Sequence, residues 1–441
     1  MTDAVPTGHA AGAKAPRPAL MLPFPRPGNL PSQTCPIPRD GVLLGRGERV
    51  FELAFDDPAM SARHAEVRSH GAQMVLTDLG SPGGTRLNGA PLREARGLVE
   101  GDVFRLGNTS FVYTTGSRLL AIPEDRNHGQ AELTGTTPSM EAVRRSIEAV
   151  ARHPRTVVVT GETGTGKEIV ARLLHRQSGR TGPFLAVNCG GFTEGLLASE
   201  LFGHVRGAFT GAIAEQQGLF RAANHGTLLL DEAGDLPLGL QPALLRVLET
   251  WTVRPVGTSR DVPVDVRVIA ATNREIVSLV QRGLFRADLY ARLAQWIIRI
   301  PPLRDRREDI PALTRALLAE LGVPGRGLTP DLEEALLIHP WPLNIRGLSN
   351  VLGIAAIATQ AGEPLALGAE ASTALEDGHL DPVETPLEVP KLELDKACLE
   401  GLLIQFGGRV AEVARHVGVS RPKMYRLLWR VGLDPAIFRV R

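Results

Sequence analysis

A glycine-rich loop between an apolar run and a helical pattern constrains the fold of this chain more than any other feature. The loop, GETGTGKE, follows the β-branched segment 156–160 and precedes a helical pattern that begins near Ile169. Glycines let backbone N–H groups curl around phosphate oxygens, and the start of the following helix adds positive potential. The order strand, loop, helix is the context that a phosphate-binding loop requires. The sequence therefore predicts a nucleotide site formed by Gly161, Glu162, Thr163, Gly164, Thr165, Gly166, Lys167 and Glu168.

Two later apolar runs end in polar side chains that suit the same site. The run TLLL ends in Asp231 and Glu232, and the run VIAA ends in Thr272 and Asn273. We expect Asp231 to organise Mg²⁺ and its waters and Glu232 to polarise the attacking water. Thr272 and Asn273 are expected to sense the γ-phosphate. ATP and Mg²⁺ are therefore the predicted cofactors, and Glu168 stands where Ser or Thr usually helps to hold the metal.

The composition restricts the class of protein and its surroundings. A chain of 441 residues corresponds to roughly three domains at about 150 residues each. The 49 Lys and Arg nearly balance the 48 Asp and Glu, so any nucleic-acid surface must be local. The three cysteines lack CxxC spacing, which argues against a disulfide scaffold or a structural zinc site. Without a signal-peptide pattern or an apolar stretch long enough to span a bilayer, we expect a cytoplasmic protein with no membrane partner.

Changes of composition divide the chain into segments. The first holds nine prolines and is expected to be disordered, and the second has short apolar runs between turn residues, which predict a β-sandwich. Helical periods that alternate with β-branched runs predict a parallel α/β fold in the centre. An acidic segment and a basic tail follow. The predicted boundaries are 1–40 (disordered tail), 41–115 (β-sandwich), 116–131 (linker), 132–362 (α/β domain), 363–390 (acidic linker) and 391–441 (all-α DNA-binding domain).

The central segment resembles a known family. Between the phosphate loop and Asp231 the chain reads GAFTGA, the signature loop of bacterial enhancer-binding proteins, the AAA+ activators of sigma-54 RNA polymerase. The stretches LLLDEAGDLP, VDVRVIAATN, FRADLYARL and PPLRDRREDI extend the resemblance over residues 132–362. The resemblance implies a multidomain protein with a central α/β AAA+ P-loop ATPase and a helical lid. It also implies that sigma-54 is contacted by Gly207, Ala208, Phe209, Thr210, Gly211 and Ala212.

The resemblance assigns further roles by position. Asn188 would hold Glu232 away from water until the GAFTGA loop is engaged. Arg286 and Arg292 would be fingers that reach the nucleotide of a neighbouring subunit, and this requires a ring, which is a hexamer in the family. Arg346 would sense phosphate.

The sequence departs from the family pattern near Arg346. It reads WPLNIRGL where the family has WPGNVREL, so that Leu343 replaces Gly and Gly347 replaces Glu. The branched side chain is expected to restrict the backbone. Gly347 is expected to weaken the following helix by about 1 kcal/mol.

The C-terminal segment resembles the Fis-like helix-turn-helix of the same family. A helical pattern near 410–417 is followed by Gly418-Val419-Ser420 and then by a basic helix. A glycine at the turn and a serine as N-cap are typical of this motif. Between 405 and 441, eight Lys and Arg stand against two acidic residues, which suits DNA. We expect dimers to bind double-stranded enhancer DNA through Ser420, Arg421, Lys423, Met424 and Arg426.

The N-terminal β-sandwich resembles a forkhead-associated (FHA) domain, a fold whose loops bind phosphothreonine peptides. The resemblance rests on LGR, SARH and DLGSPGGTRLNG. It implies that Arg46 and Ser61 contact the phosphate by charge-assisted bonds and that His64 braces the loop. Gly83 occupies the position where the family places Asn, so peptide selectivity is expected to be weaker or different. The implied partner is a phosphothreonine-containing protein.

These patterns together predict a sigma-54-dependent transcriptional activator. It would hydrolyse ATP in a ring to remodel the closed complex of the sigma-54 RNA polymerase holoenzyme, tethered to enhancer DNA and regulated through the FHA domain. Three alternatives stay open. The chain could be an AAA+ remodeller of another protein, a DNA-bound regulator or repressor with a weakened ATPase and no sigma-54 remodelling, or a phosphopeptide adaptor. The adaptor reading leaves the nucleotide motifs without a role.

Overall fold

Most of the chain up to residue 377 is described by a computed structural model. Contacts divide the chain into two units, residues 1–379 and 380–441. The described residues are 18–24, 33–47, 49–50, 53–54, 56–71, 73–115, 133–209, 212–377 and the single positions 399, 400, 403, 406 and 413. Some predicted site residues lie outside them, namely Thr210, Gly211, Ser420, Arg421, Lys423, Met424 and Arg426.

Short strands build the N-terminal part of the first unit. They are β1 (Ala19–Leu22), β2 (Gln33–Pro36), β3 (Val42–Leu44), β4 (Arg49–Val50), β5 (Leu53–Ala54), β6 (Ala65–His70), β7 (Gln73–Asp78), β8 (Thr85–Leu87), β9 (Ala90–Pro91), β10 (Arg96–Gly97), β11 (Val103–Leu106) and β12 (Thr109–Thr114). They pair antiparallel in the orders β2-β1-β12-β11-β8-β9 and β10-β7-β6-β3, and β4 pairs with β5. Leu44, Leu76 and Phe104 contribute to a common core. The predicted β-sandwich is confirmed.

The strand β12 is buried on both of its faces. All of its residues are buried. Phe111 and Tyr113 belong to the core of the sandwich, whereas Val112 points to the opposite side of the sheet. There it joins an apolar cluster with its cross-strand neighbours Met21 and Val103. The outer face of this sheet is therefore covered by another part of the chain, which is the helical lid.

The expectation of disorder over residues 1–40 is wrong for Ala19–Leu22 and Gln33–Pro36. The run ALML is wholly buried and pairs with β12, and β2 forms the edge of the same sheet. Pro36 stands on this edge strand, where a missing N–H removes no bond of an inner ladder. A short apolar run between prolines therefore extends the sheet instead of remaining unstructured.

Helices and strands alternate in the central part. The elements are α1 (Pro138–Ala151), β13 (Val157–Thr160), α2 (Lys167–Gln177), β14 (Phe184–Asn188), α3 (Glu194–Phe202), α4 (Leu219–Ala222), β15 (Thr227–Asp231), α5 (Gln241–Thr250), β16 (Thr252–Val253), β17 (Val262–Pro263), β18 (Arg267–Thr272), α6 (Ile276–Gln281), α7 (Ala287–Leu293) and β19 (Trp296–Arg299). The parallel strands follow the order β14-β15-β18-β13-β19, and β16 and β17 form a hairpin. Val157 and Val159 face one apolar cluster and Val158 faces another, so both sheet faces are covered. The predicted α/β fold is confirmed.

The helical lid follows the parallel sheet. It contains α8 (Ile310–Glu320), α9 (Pro330–Ile338), α10 (Asn344–Ala358) and α11 (Ala369–Asp377). The last helix corrects the expectation of a linker from residue 363, because Ala371 and Leu375 are buried in the lid core. Their spacing places them on one helix face, while the acidic residues Glu370, Glu376 and Asp377 stand near the two ends of the helix. None of the described helices has the length and apolar character that crossing a membrane needs.

Candidate functional site

The polar residues predicted for nucleotide binding meet at one edge of the parallel sheet. Thr160, at the end of β13, is in register with Thr272 at the end of β18. Asn188, at the end of β14, is in register with Asp231 at the end of β15. Because the strands are parallel, these carboxyl ends lie on the side where open α/β sheets bind ligands.

The phosphate loop has a conformation that its glycines permit. Gly164 and Gly166 adopt φ angles of +79° and +100°, in the left-handed region. A Cβ on Gly164 would overlap the carbonyl oxygen of Leu343, so no larger residue fits there. Lys167 opens α2, and its Nζ donates to the carbonyl of Gly161 at 3.0 Å. The loop therefore holds a buried cationic side chain.

Three charged groups act on the buried ammonium of Lys167. Burial lowers the pKa of Lys167. The carboxylates of Asp231 and Glu232 act in the opposite direction, and Arg346 of the lid adds to the lowering. The loop lysine therefore lies within electrostatic reach of the acidic pair and of the lid arginine.

Glu232 is held in a strained conformation. Its φ of +47° is a kind of outlier that costs about 1–3 kcal/mol and concentrates at functional sites. Its N–H donates to Oδ1 of Asp231 at 3.0 Å. Its Oε2 is buried and lacks a hydrogen-bond partner within the described residues. Such an orphaned carboxylate oxygen is a group to which a bound water or substrate can donate.

The donor set fits a magnesium ion that is bound together with its substrate. The described part of the chain contains no group of three or more His, Cys, Asp or Glu that could hold a metal. Mg²⁺ does not need one, because it binds through one or two carboxylates, waters and substrate phosphates. Asp231 and the orphaned oxygen of Glu232 lie in the field of Lys167. Glu168, by contrast, is exposed and pairs with Arg172 at 2.7 Å on the surface of α2.

The two asparagines at the strand ends make different contacts. Asn273 donates from Nδ2 to Oγ1 of Thr163 in the phosphate loop at 3.1 Å. Asn188 accepts from the N–H of Gly190 through Oδ1 at 2.9 Å. Within the described residues, no hydrogen bond joins Asn188 to Glu232. The expected hold of Asn188 on Glu232 stays a prediction.

The lid reaches the phosphate loop through two side chains that the sequence did not single out. Arg304 donates to both carboxylate oxygens of Glu162, at 2.6 and 2.8 Å. These hydrogen bonds hold the pKa of Glu162 below its ordinary value. Asn344 donates to the same carboxylate at 3.2 Å and to the carbonyl of Thr163 at 2.9 Å. The start of α10 is therefore bonded directly to the loop.

The departure from the family pattern at position 343 does not lie at a strained backbone position. Leu343 has an ordinary φ of −98°, and the left-handed residues are its neighbours Trp341 and Asn344. The restriction expected at Leu343 is therefore met without a left-handed φ at that residue. A Cβ on Gly347 would lie 3.3 Å from Cβ of Leu343 and 3.5 Å from the ring of Trp341. The small residue thus makes room for the large one.

The two predicted arginine fingers are not brought to the phosphate loop of their own chain. Arg286 is half-exposed and pairs with Asp288 at 2.7 Å. Arg292 is half-exposed, and its carbonyl accepts from Oγ1 of Thr156 at 2.5 Å. Thr156 precedes β13, so this contact lies at the amino edge of the sheet, opposite the candidate nucleotide site.

The described part of the GAFTGA loop is a turn with an exposed aromatic tip. The N–H of Gly207 donates to the carbonyl of Ala212 at 2.8 Å and closes the turn. The side chain of Phe209 is 45% exposed, and its ring lies 5.0 Å from the ring of His204. Ala212 is buried. The loop therefore presents an apolar ring outward from a fixed base.

A second loop, which no sequence motif marks, supports the GAFTGA turn. The N–H of Val205 donates to the carbonyl of Val256 at 3.1 Å. The next residue, Gly257, has a φ of +86°. A Cβ on Gly257 would lie only 2.7 Å from Cβ of Ala208. Glycine at a left-handed position was the available signal, although the sequence does not show which loop it faces.

The residues predicted to bind a phosphopeptide meet at loops of the sandwich. The N–H of Arg46 donates to the carbonyl of Ser61 at 2.8 Å, and the Arg46 side chain is exposed. His64 is fully buried, and its Nδ1 accepts from the N–H of Ser61 at 3.1 Å. The Nε2 atom then carries the proton and donates to the carbonyl of Gly84 at 3.1 Å. His64 thereby ties two loops together next to Arg46.

Comparison with known proteins assigns these parts to described families. The Sigma-54 interaction domain model matches residues 133–299, the FHA domain model 42–107 and the AAA+ ATPase lid domain model 304–368. The transcriptional regulatory protein GlrR of Escherichia coli K12 is 42% identical over 308 residues, which are 69% of this chain and 68% of that protein. The chain belongs to the sigma-54-dependent transcriptional activator family.

Other members of this activator family match over similar or smaller shares. The DNA-binding transcriptional regulator NtrC of Klebsiella pneumoniae is 38% identical and covers 70% of this chain and 72% of its own. The response regulator protein PilR of Pseudomonas aeruginosa is 44% identical, and the chain spans 57% of its length. The crystal structure of NtrX from Brucella abortus in complex with ATP has a TM-score of 0.50 at 32% identity, over 70% of each chain. This member of the family therefore combines an FHA domain with an AAA+ domain and its lid.

Proposed function

We propose that this activator hydrolyses ATP and uses the energy to remodel the closed complex of the sigma-54 RNA polymerase holoenzyme. The observation that carries the proposal is the meeting of Lys167, Asp231, Glu232 and Thr272 at the strand ends of a chain with a GAFTGA loop. The relative NtrX has been crystallised with ATP and with ADP, which supports nucleotide binding.

The side chains divide the chemistry between them. Glu232 accepts a hydrogen bond from the attacking water through its orphaned oxygen. Lys167 lies against the β- and γ-phosphate oxygens, and Asn273 and Thr163 contact the γ-phosphate from the loop side. A bound Mg²⁺, held through Asp231, would neutralise charge on the β- and γ-oxygens. Water adds to the γ-phosphorus as the bond to the β-phosphate oxygen breaks, giving ADP and phosphate.

The exposure of Arg286 and Arg292 supports a site that is completed between subunits. Arg286 and Arg292 are half-exposed and lie away from their own phosphate loop. In a ring, a neighbouring chain can place its nucleotide against them. A cationic finger contributes about 10³–10⁵ in rate to other NTPases. A hexamer, as in the family, is therefore the proposed active state.

The experiment is ATP turnover as a function of protein concentration, with Arg286→Ala in parallel. We expect the specific rate of the native chain to rise steeply with concentration and the variant to remain slow at every concentration. Arg282→Ala removes an exposed arginine just before the finger and serves as the matched control. Equal rates in all three proteins would rule out a finger that acts between subunits. Promoter opening by sigma-54 polymerase is then measured with the same proteins.

The two terminal parts supply regulation and targeting in this proposal. Arg46 and Ser61 bind the phosphate of a phosphothreonine protein. The test compares binding of a phosphothreonine peptide library with binding of its unphosphorylated counterpart, in the native chain and in Arg46→Ala.

The C-terminal segment tethers dimers to enhancer DNA in the cytoplasm. Binding is measured with duplexes selected from a random library. We expect the Arg421→Ala protein to lose its preference for the selected sequences and the Lys423→Ala protein to bind all duplexes more weakly.

The alternative of a regulator with a weakened ATPase rests on the Leu343 and Gly347 changes. The ordinary φ of Leu343 speaks against it. Asn344 still bonds to the phosphate loop, and Arg346 still acts on Lys167. The turnover assay separates the two readings, because a weakened site stays slow at high concentration even in the native chain.

A further inference from the structure

The outer sheet face of the FHA sandwich docks on helix α9 of the lid. Met21, Val103 and Val112 share one apolar cluster with the lid helices. The turn at Gly89 lies so close to α9 that a Cβ would be 2.9 Å from Cδ1 of Ile338. The sandwich is therefore attached to the lid and not only tethered through the chain between residues 115 and 133.

Charge complementarity at this interface is specific. Arg86 on β8 and Arg105 on β11 stand directly opposite each other, where like charges repel. The buried carboxylate of Glu334 on α9 lies 3.1 Å from Nε of each arginine. Asp331, one turn earlier, pairs with Arg105 at 2.7 Å. The lid thus supplies the negative charge that offsets the arginine pair.

These ion pairs lie one residue from the loops that are proposed to bind phosphothreonine. Thr85 precedes Arg86, and its Oγ1 donates to Asp78 at 2.6 Å. The carbonyl of Gly84 is the partner of His64. A ligand that moves these loops therefore acts directly on the strand that carries Arg86.

The C-terminal end of α9 also leads to the phosphate loop. The ring N–H of Trp341 donates to the carbonyl of Leu336 on α9 at 2.9 Å. The N–H of Asn344 donates to the carbonyl of Trp341 at 2.8 Å, and its side chain donates to the carbonyl of Thr163 at 2.9 Å. Consecutive hydrogen bonds thus connect the docked helix to the loop.

The interface borders an open cleft. This cleft, of about 550 Å³, is lined by Asn88 and Gly101 of the sandwich and by Ile338 and Pro340 of the lid. The contact between the two parts therefore does not extend over the whole length of the helix end.

We propose that α9 is the docking surface of the FHA sandwich and that the phosphothreonine and nucleotide sites are energetically linked through it. The identity of the two ligands rests on the proposed function, whereas the docking does not. Linkage is reciprocal, so a nucleotide must change the affinity for a phosphopeptide by the same factor as the phosphopeptide changes the affinity for the nucleotide. A contiguous path alone does not establish coupling, so the test measures the coupling itself.

The test is hydrogen exchange of the full chain with and without ADP, in the native protein and in Glu334→Lys. We expect ADP to slow exchange in the phosphate loop, in α9 and in the sandwich peptides that contain β8 and β11. A sandwich effect of about fivefold or more corresponds to the usual coupling range. In Glu334→Lys the effect on the sandwich is lost while the effect on the phosphate loop remains. Glu320→Lys, an exposed acid of α8, keeps both effects.

Each other outcome has a defined meaning. The linkage is overturned if, in the native chain, ADP slows hydrogen exchange no further than α9. It is also overturned if ADP still slows exchange in β8 of Glu334→Lys. If Glu334→Lys misfolds, Arg86→Gln replaces it, because this substitution removes one half-exposed partner of Glu334. The same loss of the ADP effect on the sandwich is expected. If ADP protects not even the phosphate loop, the proposed ATPase function fails. Docking is then decided by whether β8 exchanges faster in Glu334→Lys than in the native chain.

Discussion

At the scale of single residues, the GAFTGA loop depends on a glycine outside its own motif. Gly257 combines a left-handed φ with a close approach to Ala208. In Gly257→Ala, both the backbone and the contact are strained, at about 1–3 kcal/mol for the backbone alone. We expect promoter opening to fall about tenfold, the effect of about 1.4 kcal/mol. ATP turnover is expected to persist, because Gly257 does not contact the strand ends.

The control for this substitution is Gly179→Ala. Gly179 also has a left-handed φ, of +76°, but a Cβ there would meet no atom within 4 Å. It therefore carries the backbone strain without the contact to the loop. Equal losses of promoter opening in both variants would show that general instability, and not loop position, is responsible.

The phosphopeptide loop allows a gain-of-function test at Gly83. A Cβ there would meet only the carbonyl of Ala59, at an ordinary 3.6 Å. Gly83→Asn restores the residue that the FHA pattern places at this position. We expect it to tighten binding of a phosphothreonine peptide library by about 0.5–1.5 kcal/mol, the net value of one hydrogen bond. Arg46→Ala in the same background should remove binding, and unchanged affinity in Gly83→Asn would mean that the loop does not present this side chain to a peptide.

Residue types at strand ends were predictable, but contacts between distant segments were not. Asp231, Glu232 and Thr272 follow apolar runs, so their place at one sheet edge follows from the alternation of strands and helices. Asn344 lies far from the phosphate loop in sequence, and only the folded lid brings it there. The pairing of Leu343 with Gly347 was hidden for the same reason. Leu343 in place of Gly and Gly347 in place of Glu each look unfavourable when considered alone. In the folded lid, the small Gly347 leaves room for the side chain of Leu343.

At the scale of elements, the start of α10 acts as the support of the phosphate loop. Asn344 donates to Thr163 and Glu162, accepts from the N–H of Leu303 at 2.7 Å, and has the left-handed φ that Asn tolerates. Asn344→Asp keeps the acceptor and the backbone preference but removes both donated bonds and adds a charge near Glu162. We expect the affinity for a fluorescent ADP analogue to fall about tenfold, as two hydrogen bonds of about 0.5–1.5 kcal/mol are lost.

The matched control lies on the same helix. Asn350→Asp makes the same chemical change at an exposed position of α10. Its nucleotide affinity should equal that of the native chain. If Asn344→Asp binds the analogue as tightly as Asn350→Asp does, the lid does not preorganise the loop.

The elements themselves were predictable where a hydrophobic period extended over a full strand or helix. The β-branched runs of the parallel sheet and the short runs of the sandwich are examples. The strand β1 was missed because its apolar residues stand among prolines, and α11 was missed because acidic residues surround Ala371 and Leu375. In both cases tertiary packing outweighed local composition. The double burial of β12 was visible as the near-continuous apolar run FVY, which is typical of a strand covered on both faces.

At the scale of the whole molecule, the lid belongs to two structures at once. Its helix α9 covers the sandwich, and the start of α10 holds the phosphate loop. Removal of the FHA domain therefore does more than remove an input. It uncovers α9 and releases the ion pairs of Glu334, so a truncated chain cannot by itself show whether the sandwich represses or activates the ATPase.

A double-mutant cycle separates docking from regulation. We expect Glu334→Gln to destabilise the full chain by about 1.5–3 kcal/mol, because Arg86 and Arg105 lose a charged partner and again oppose each other. In a chain that begins at Leu133, Glu334 has neither arginine beside it, and the same substitution should have almost no effect on stability. Thermal unfolding of the four proteins measures the difference, which is the energy of the docked carboxylate. An equal loss of stability in the long and the short chain would mean that Glu334 stabilises the lid alone. The ion pairs with the sandwich would then contribute nothing to the docking of the FHA domain on the lid.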